Sequence, residues 1–426
     1  MSTARSEANV TEVLPELPLL ARPVAPVGPL VDRPERLESL IAELADSAGP
    51  VAVDTERASG FRYHNWAYLI QIKTLKDGIR LIDPMALAPA DGLADLGQLN
   101  RVLAGQEWII HAASQDLPCL TELGLRPERL FDTELAARLL GRPRVGLGPL
   151  VEDVLGVRLL KAHSADDWST RPLPSDWLVY AALDVDLLIE LRDRLAAELA
   201  AAGKTGWAEQ EFAHWLDWSD KPTPVRRDPW RRTTGIHLVR SPRGLAVVRE
   251  MWQTRDQLAR AADLAPGRML NDQGISGLAT LVTDRSFKLG QAALADNPWF
   301  ARRQARRHWP DWLEALRRVE ELPSDQWPPL RLSGDGPPAP RTWRRSNPVA
   351  ARRWDQLRPA VNQLAEQHNL PPENLISPDS LRRLAWQPDG SDRTAVWSQF
   401  ERLGARPWQC DLLAQTVSQV LLEAAS

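Results

Sequence analysis

Cysteine is almost absent from this chain. Cys119 and Cys410 are the only two in 426 residues. They stand far apart and in no paired spacing, which argues against a disulfide framework or a cysteine zinc site. No apolar run approaches the length a bilayer crossing requires, so no membrane association is expected. Prolines and acidic residues interrupt 11–30, where a signal peptide would need an unbroken apolar stretch, and the protein reads as cytosolic, that is, cytoplasmic. A strong net charge is also missing. The formal value is -4, but it conceals an asymmetry: residues 222–320 carry 18 Lys and Arg against 10 Asp and Glu, while residues 1–221 carry 22 against 34. A basic segment joined to an acidic one suits a protein that grips a polyanion in one place and does metal chemistry on it in another. Nothing in the sequence points to a protein partner.

What is present divides the chain. Residues 1–30 are rich in Pro and Ala without periodicity and read as a flexible lead-in. Leu37, Leu40, Ile41 and Leu44 fall on one face of a helix over 33–47. Short apolar strands follow at 51–56, 66–73 and 79–82, the latter two joined by the turn signal Lys76-Asp77-Gly78, and another lies at 108–111. Strands alternating with helical patterns around 93–103 and 117–123 imply an α/β domain, a mixed sheet with flanking helices, over 31–215. Its longest helical pattern runs from a Ser175 cap to about 202, with Gly203 at its C-terminal end. A linker is expected over 216–228, around Lys221-Pro222-Thr223-Pro224.

The remainder is almost wholly helical and contains a repeat. Leu258-Ala259, Leu264, Pro266 and Ile275 match Leu364-Ala365, Leu370, Pro372 and Leu381 at a constant offset of 106 residues. Each copy reads as an amphipathic helix, a Pro-containing turn, and a second helix opening near Asn271 or Ser377. Two all-α modules are therefore expected, over 229–322 and 343–426, joined by a Pro- and Gly-rich linker at 323–342.

The stretch 51–56, Val-Ala-Val-Asp-Thr-Glu, places two carboxylates on one face of a strand, because side chains two apart point the same way. In isolation such a pair is an N-cap and turn. Asp116 follows the strand at 108–111, and Tyr180 and Asp184 share a helix face four residues apart. Converging carboxylates repel one another and raise each other's pKa values. Two divalent cations, Mg²⁺ or Mn²⁺, remove that conflict and suit phosphoryl displacement.

Asp54-Thr55-Glu56, then His111 to Asp116, then Tyr180 to Asp184 together resemble the DEDD superfamily of 3′-5′ exonucleases, and the tyrosine resembles its DEDDy branch. The resemblance to the ribonuclease D family extends through Phe131-Asp132-Thr133, Gly146-Leu147 and the run from Asp167 to Leu173. It implies a ribonuclease H-like nuclease domain followed by tandem HRDC-like helical domains. It also implies that Asp54, Glu56 and Asp184 ligate one metal, with Asp54 bridging to a second that Asp116 holds through water, while Tyr180 positions the attacking water. The implied substrate is a single-stranded RNA 3′ end, tRNA precursors included, released as nucleoside 5′-monophosphates. DNA ends are an alternative, and a catalytically silent nucleic-acid-binding scaffold is another. Arg57 stands where the family has Phe, beside the expected position of the 3′ nucleotide. Lys161, ahead of Asp167-Trp168, is a candidate phosphate contact. Arg302, Arg303, Arg306 and Arg307, with Trp299 and Trp309 nearby, are candidates for tracking a nucleic-acid backbone, or else form a solvated helix face. His111 and Asp132 read as structural, the latter as a helix cap, and Asp186 is assigned no role at the site.

Overall fold

In a computed structural model of the chain, residues 17–219, 227–331 and 336–425 are described, apart from 91, 161, 162, 164 and 285. Strands β1 (Leu19–Leu20), β2 (Val51–Arg57), β3 (Ala67–Thr74), β4 (Gly78–Ile82), β5 (Glu107–Ile110), β6 (Arg129–Asp132) and β7 (Arg158–Leu159) belong to the first part of the chain. Five form one mixed sheet in the order β4-β3-β2-β5-β6. The β3 to β4 turn makes an antiparallel meander with β2, whereas β5 and β6 run parallel to it. The strand at 51–56 is therefore central. Val51, Ala52 and Val53 are fully buried there, as a strand paired on both sides and covered by helices requires.

The lead-in is not loose where it is described. Residues 26–31 run along β4, with the Gly28 and Val31 amides donating to the Ile79 and Leu81 carbonyls at 2.9 and 2.8 Å. They cover what would be an open sheet edge. β1 pairs in parallel with β7, so the expectation of a flexible 1–30 fails over 17–30; residues 1–16 lie outside the described part.

The long pattern at 175–202 is two helices, Ser175–Asp186 and Leu188–Ala201. Pro174, rather than Ser175, occupies the N-cap position, with no side-chain cap bond. At the break, the buried Asp186 carboxylate accepts from the Val24 amide at 2.6 Å and the Ala25 amide at 3.2 Å and pairs with Lys73 at 3.1 Å. It anchors the N-terminal arm to the helix end. A further helix, Thr205–Ser219, follows Gly203, so an end at 215 would cut through it.

The repeat offset holds at helix boundaries. The helices Pro242–Ala261, Pro266–Met269 and Asp272–Leu281 correspond at 106 residues' distance to Pro348–Gln367, Pro372–Leu375 and the start of Pro378–Trp386. Caps repeat as well: Ser241 and Asn347 cap the long helices, Asn271 and Ser377 the later ones. Between the first and second helices, Asp263 and Asn369 both take left-handed backbone, at φ 43° and 48°.

These two elbows dock both modules. Asp263 accepts from the Tyr63 and His64 amides of the nuclease at 3.2 and 3.3 Å. Asn369 instead donates from Nδ2 to the Leu140 carbonyl at 2.9 Å, next to Lys204, whose Nζ donates to Leu139 and His368 carbonyls at 2.6 Å. Trp408 stacks on Trp207 with centroids 4.7 Å apart, and Arg406 pairs with buried Glu211 at 2.8 Å. The second module thus shares a continuous apolar core with the nuclease, whereas the first has its own core, which Tyr63 joins from the nuclease side.

Gly141 carries this arrangement on a left-handed φ of 72°, and a Cβ there would lie 2.4 Å from the Asn369 carbonyl oxygen. Gly141→Ala is expected to destabilise the fold by about 1–3 kcal/mol, through overpacking and backbone strain together. Chemical denaturation measures the loss, and hydrogen exchange in the helix Thr205–Ser219 locates it; unchanged values for both would remove the close approach.

Candidate functional site

The site forms where the parallel strands β2 and β5 release the chain at the same sheet edge. Open α/β sheets place ligands at such carboxyl ends. Asp54 and Glu56 share one face of β2, opposite Gln71 and Leu69 of β3, and a register shift follows at Glu56/Arg57. Such a bulge adds local twist and re-aims the next side chain. Thr55 and Arg57 consequently serve the neighbouring loop. Thr55 Oγ1 donates to Asp116 Oδ1 at 2.5 Å. Arg57 donates to the Gln115 backbone carbonyl and to its side-chain oxygen, and lies 3.9 Å from Asp116.

The third carboxylate comes from the helix Ser175–Asp186, which buries Ala181, Ala182 and Val185 in the core and leaves Tyr180 and Asp184 half-buried. Asp54, Glu56 and Asp184 each offer an oxygen within 4.8 Å of the others. Asp116, buried to 3 % exposure, stands beside this trio rather than in it. Its carboxylate is not a helix cap: it is positioned by Thr55. Tyr180 lies one turn before Asp184, its ring edge-on to His163 at 5.8 Å.

The electrostatics are those of buried acids with little positive charge beside them. Burial first, then Asp116, Asp184 and Glu56 in that order, hold the Asp54 carboxyl well above its ordinary value. Glu56 is pushed up to about 9 by burial, Asp184 and Asp116, with Arg57 opposing. Burial lifts Asp184 to about 7. It lifts Asp116 to about 6 against the Thr55 hydrogen bond and Arg57. Arg57 is too little positive charge for this many acids. A set of hard oxygen donors on rigid elements, short of cations, fits Mg²⁺ or Mn²⁺.

Neighbouring residues are structural. Asp132 caps the helix Thr133–Leu139 through the Glu134 and Leu135 amides and also accepts from Ala112 and Ala113, which steadies the turn leading to Asp116. His111 meets Thr133 Oγ1 at 2.9 Å, and burial drives its pKa down to about 4. In the run from Asp167 to Leu173, Trp168 is fully buried and Arg171 reaches the Tyr68 carbonyl and Asp83, both at 2.8 Å. That motif holds the segment entering the Tyr180 helix. Lys161 lies outside the described residues. Arg302, Arg303, Arg306 and Arg307 are exposed on the first helical module. Thr55 and Gln115 join the site only through the fold, the one sequence signal being the place of Thr55 between two acids.

A family model described as 3′-5′ exonuclease matches residues 30–200, and another, described as 3′ to 5′ exonuclease C-terminal domain, matches residues 336–421. The mixed sheet with its carboxylate edge is thus a 3′-5′ exonuclease domain. A ribonuclease D from Gluconacetobacter diazotrophicus is 30% identical over 354 residues, which cover 80% of this chain and 81% of that one. Other curated ribonucleases D, one of them 34% identical, align over 64% of their own length. The chain belongs to the ribonuclease D family. A crystal structure of a protein from Bifidobacterium adolescentis, 39% identical, superposes with a TM-score of 0.83 over 96% of this chain and 100% of that one. Escherichia coli RNase D, 24% identical, shares the fold with a TM-score of 0.67 over 93% of this chain and 98% of its own.

The raised pKa values set a pH dependence. Acids whose folded pKa exceeds the unfolded one favour the fold at low pH, and that contribution is lost as pH rises through about 6 to 9 for Asp116, Asp184 and Glu56. Chelated protein is therefore expected to melt lower at pH 8.5 than at pH 6, with Mn²⁺ reversing the fall. Calorimetric titration with Mn²⁺ should show proton release and an affinity that grows from pH 6 to pH 8. A Mn²⁺ affinity indifferent to pH would contradict the cluster.

Proposed function

We propose that this protein is a divalent-metal-dependent 3′-5′ exoribonuclease that shortens single-stranded RNA 3′ ends to nucleoside 5′-monophosphates in the cytoplasm, with tRNA and other stable-RNA precursors as its substrates. The convergence of Asp54, Glu56 and Asp184 within 4.8 Å, with Asp116 beside them, carries the reading. The curated relatives named ribonuclease D support RNA as the substrate.

In this reading Asp54, Glu56 and Asp184 hold one cation, and Asp54 with Asp116 serves a second. The cations supply charge stabilisation for the phosphoryl oxygens and lower the pKa of water. The protein's own groups set the geometry. β2 fixes Asp54 and Glu56 from one side, and the helix Ser175–Asp186 brings Asp184 from the other. Thr55 orients Asp116 at 2.5 Å. Tyr180 directs its hydroxyl to the attacking water. Arg57, held to Gln115, limits repulsion at Asp116 and borders the terminal nucleotide. The two helical modules are HRDC-like and follow a nuclease unit that ends with the helix Thr205–Ser219. The basic first module binds upstream RNA through Arg302, Arg303, Arg306 and Arg307, and Lys161 is a further phosphate contact.

Asp116→Asn keeps the shape of the side chain and relieves repulsion, so it is expected to fold normally while nucleotide release in Mg²⁺ falls by about 10²-fold or more. Digestion of matched RNA and DNA oligonucleotides, followed by chromatography of the products, tests both activity and substrate. Undiminished release by Asp116→Asn would overturn the site, and a preference for DNA would overturn the substrate.

A further inference from the structure

The first helical module contains a cavity that the exonuclease chemistry leaves unused. It lies between the short helix Pro266–Met269 and the segment carrying Trp299, and measures about 350 Å³. Buried Met269 and Leu270 contribute its apolar lining, Trp299 and Arg302 form one wall, and Arg268 stands on another. The Arg302 guanidinium sits 3.9 Å from the centre of the Trp299 ring.

Trp299 is held in place. Its amide donates to Asn297 Oδ1 at 3.1 Å, and Asn297 Nδ2 in turn donates to the Gly274 carbonyl at 2.9 Å. Gly274 allows the close approach, since a Cβ there would lie 2.8 Å from Trp299 Cβ. With its backbone held and the Arg302 guanidinium over its ring, this partly buried indole makes a stacking platform for a flat heteroaromatic ring. Arg303, Arg306 and Arg307 lie exposed just beyond, with no carboxylate partner among the described residues, and supply charge complementary to a polyphosphate backbone. The cavity is also tied to the exonuclease site. Arg268 Nε donates at 2.7 Å to the carbonyl of Gly60, four residues after Glu56, and its guanidinium lies 3.9 Å from the Phe61 ring centre.

The second module carries different residues at the matching positions. The positions 106 residues after Gly267 and Arg268 are Glu373 and Asn374. They line a cavity shared with Leu139 and Glu211 of the nuclease, and the Asn374 carbonyl accepts from Gln409 at 2.7 Å. Both copies touch the nuclease at these positions, but only the first sets Arg268 there, beside a cavity bordered by Trp299 and Arg302.

We propose that the Trp299–Arg302 cavity binds an unpaired base of the RNA strand upstream of the 3′ end under attack, the adjoining phosphates being held by the arginines that follow. The inference rests on the exoribonuclease reading for the strand's direction, not for the cavity's chemistry. It predicts length dependence: a longer strand gains a contact in the first helical module that a trinucleotide confined to the carboxylate site does not make.

The test uses the full chain with Mg²⁺, a trinucleotide and a single-stranded RNA of about 20 nucleotides. Trp299→Ala is expected to raise KM on the longer RNA by about tenfold, as loss of one stacked base implies, with kcat and trinucleotide KM unchanged. Trp299→Phe restores most of the loss, and Arg302→Ala, at an exposed position, gives a smaller rise. Polarisation of the labelled longer RNA in EDTA gives the binding arm, where Trp299→Ala weakens affinity by a similar factor. Equal KM increases on both substrates, or unchanged affinity for the longer RNA, would overturn the cavity as an RNA subsite. Wild-type protein that binds the RNA through Trp299 yet releases no nucleotide would instead overturn the exonuclease reading and leave the cavity standing. Equal Trp299-dependent binding of single-stranded DNA would overturn its assignment to RNA in particular.

Discussion

Carboxylates crowded at one poorly solvated edge of a sheet are a standing electrostatic cost, and much of the nuclease domain is arranged around it. Burial raises Asp54, Glu56, Asp116 and Asp184; neighbouring acids add to it at Asp54 and Glu56, and Arg57 opposes it at Asp54, Glu56 and Asp116. Such a set persists only when the surrounding structure over-determines it. The central strand β2 is fully buried ahead of Asp54, the helix bearing Asp184 is sunk into the core by its alanines, and Asp116 is tethered to Thr55. The strain that destabilises the metal-free fold is the affinity with which it meets a hard cation. Stability and chemistry here trade through the same atoms.

The helical modules show how two copies of one arrangement dock differently. Both copies keep the elbow with left-handed backbone, and both use it to dock, yet with opposite polarity: Asp263 accepts from amides, and Asn369 donates to a carbonyl. The second copy is fastened by Lys204, Glu211 and the Trp207–Trp408 stack and shares the nuclease core. The first copy meets the nuclease through Phe61 to His64, just beyond the metal-site strand. The first copy thus touches the nuclease while keeping a core of its own, whereas the second is built into the nuclease core.

Much of this was legible in the residues because its causes are local. A run of small and β-branched apolar residues made β2 a strand, the two-residue period put Asp54 and Glu56 on one face, and the four-residue period paired Tyr180 with Asp184. The helix repeat was readable from a constant spacing. What misled were places where a distant partner overrode a local preference. Helical periodicity runs on through 175–202, yet the chain breaks after Asp186, whose carboxylate is engaged by Lys73 and the arm at Val24 and Ala25. Prolines at 18–29 suggested a loose lead-in, but described residues there pair along β4 and β7.

By itself the sequence determined the element types, the duplication, the charge asymmetry and the identity of the acids, since each depends on spacing along the chain. Only the tertiary structure decided which acids meet and how. Asp54, Glu56 and Asp184 form the close trio, Asp116 stands beside it on Thr55, and Arg57 turns to Gln115 after a bulge. Those outcomes depend on strand register and on the angle at which a helix crosses the sheet. Neither is encoded in any one stretch, because both are set by how several buried surfaces pack at once.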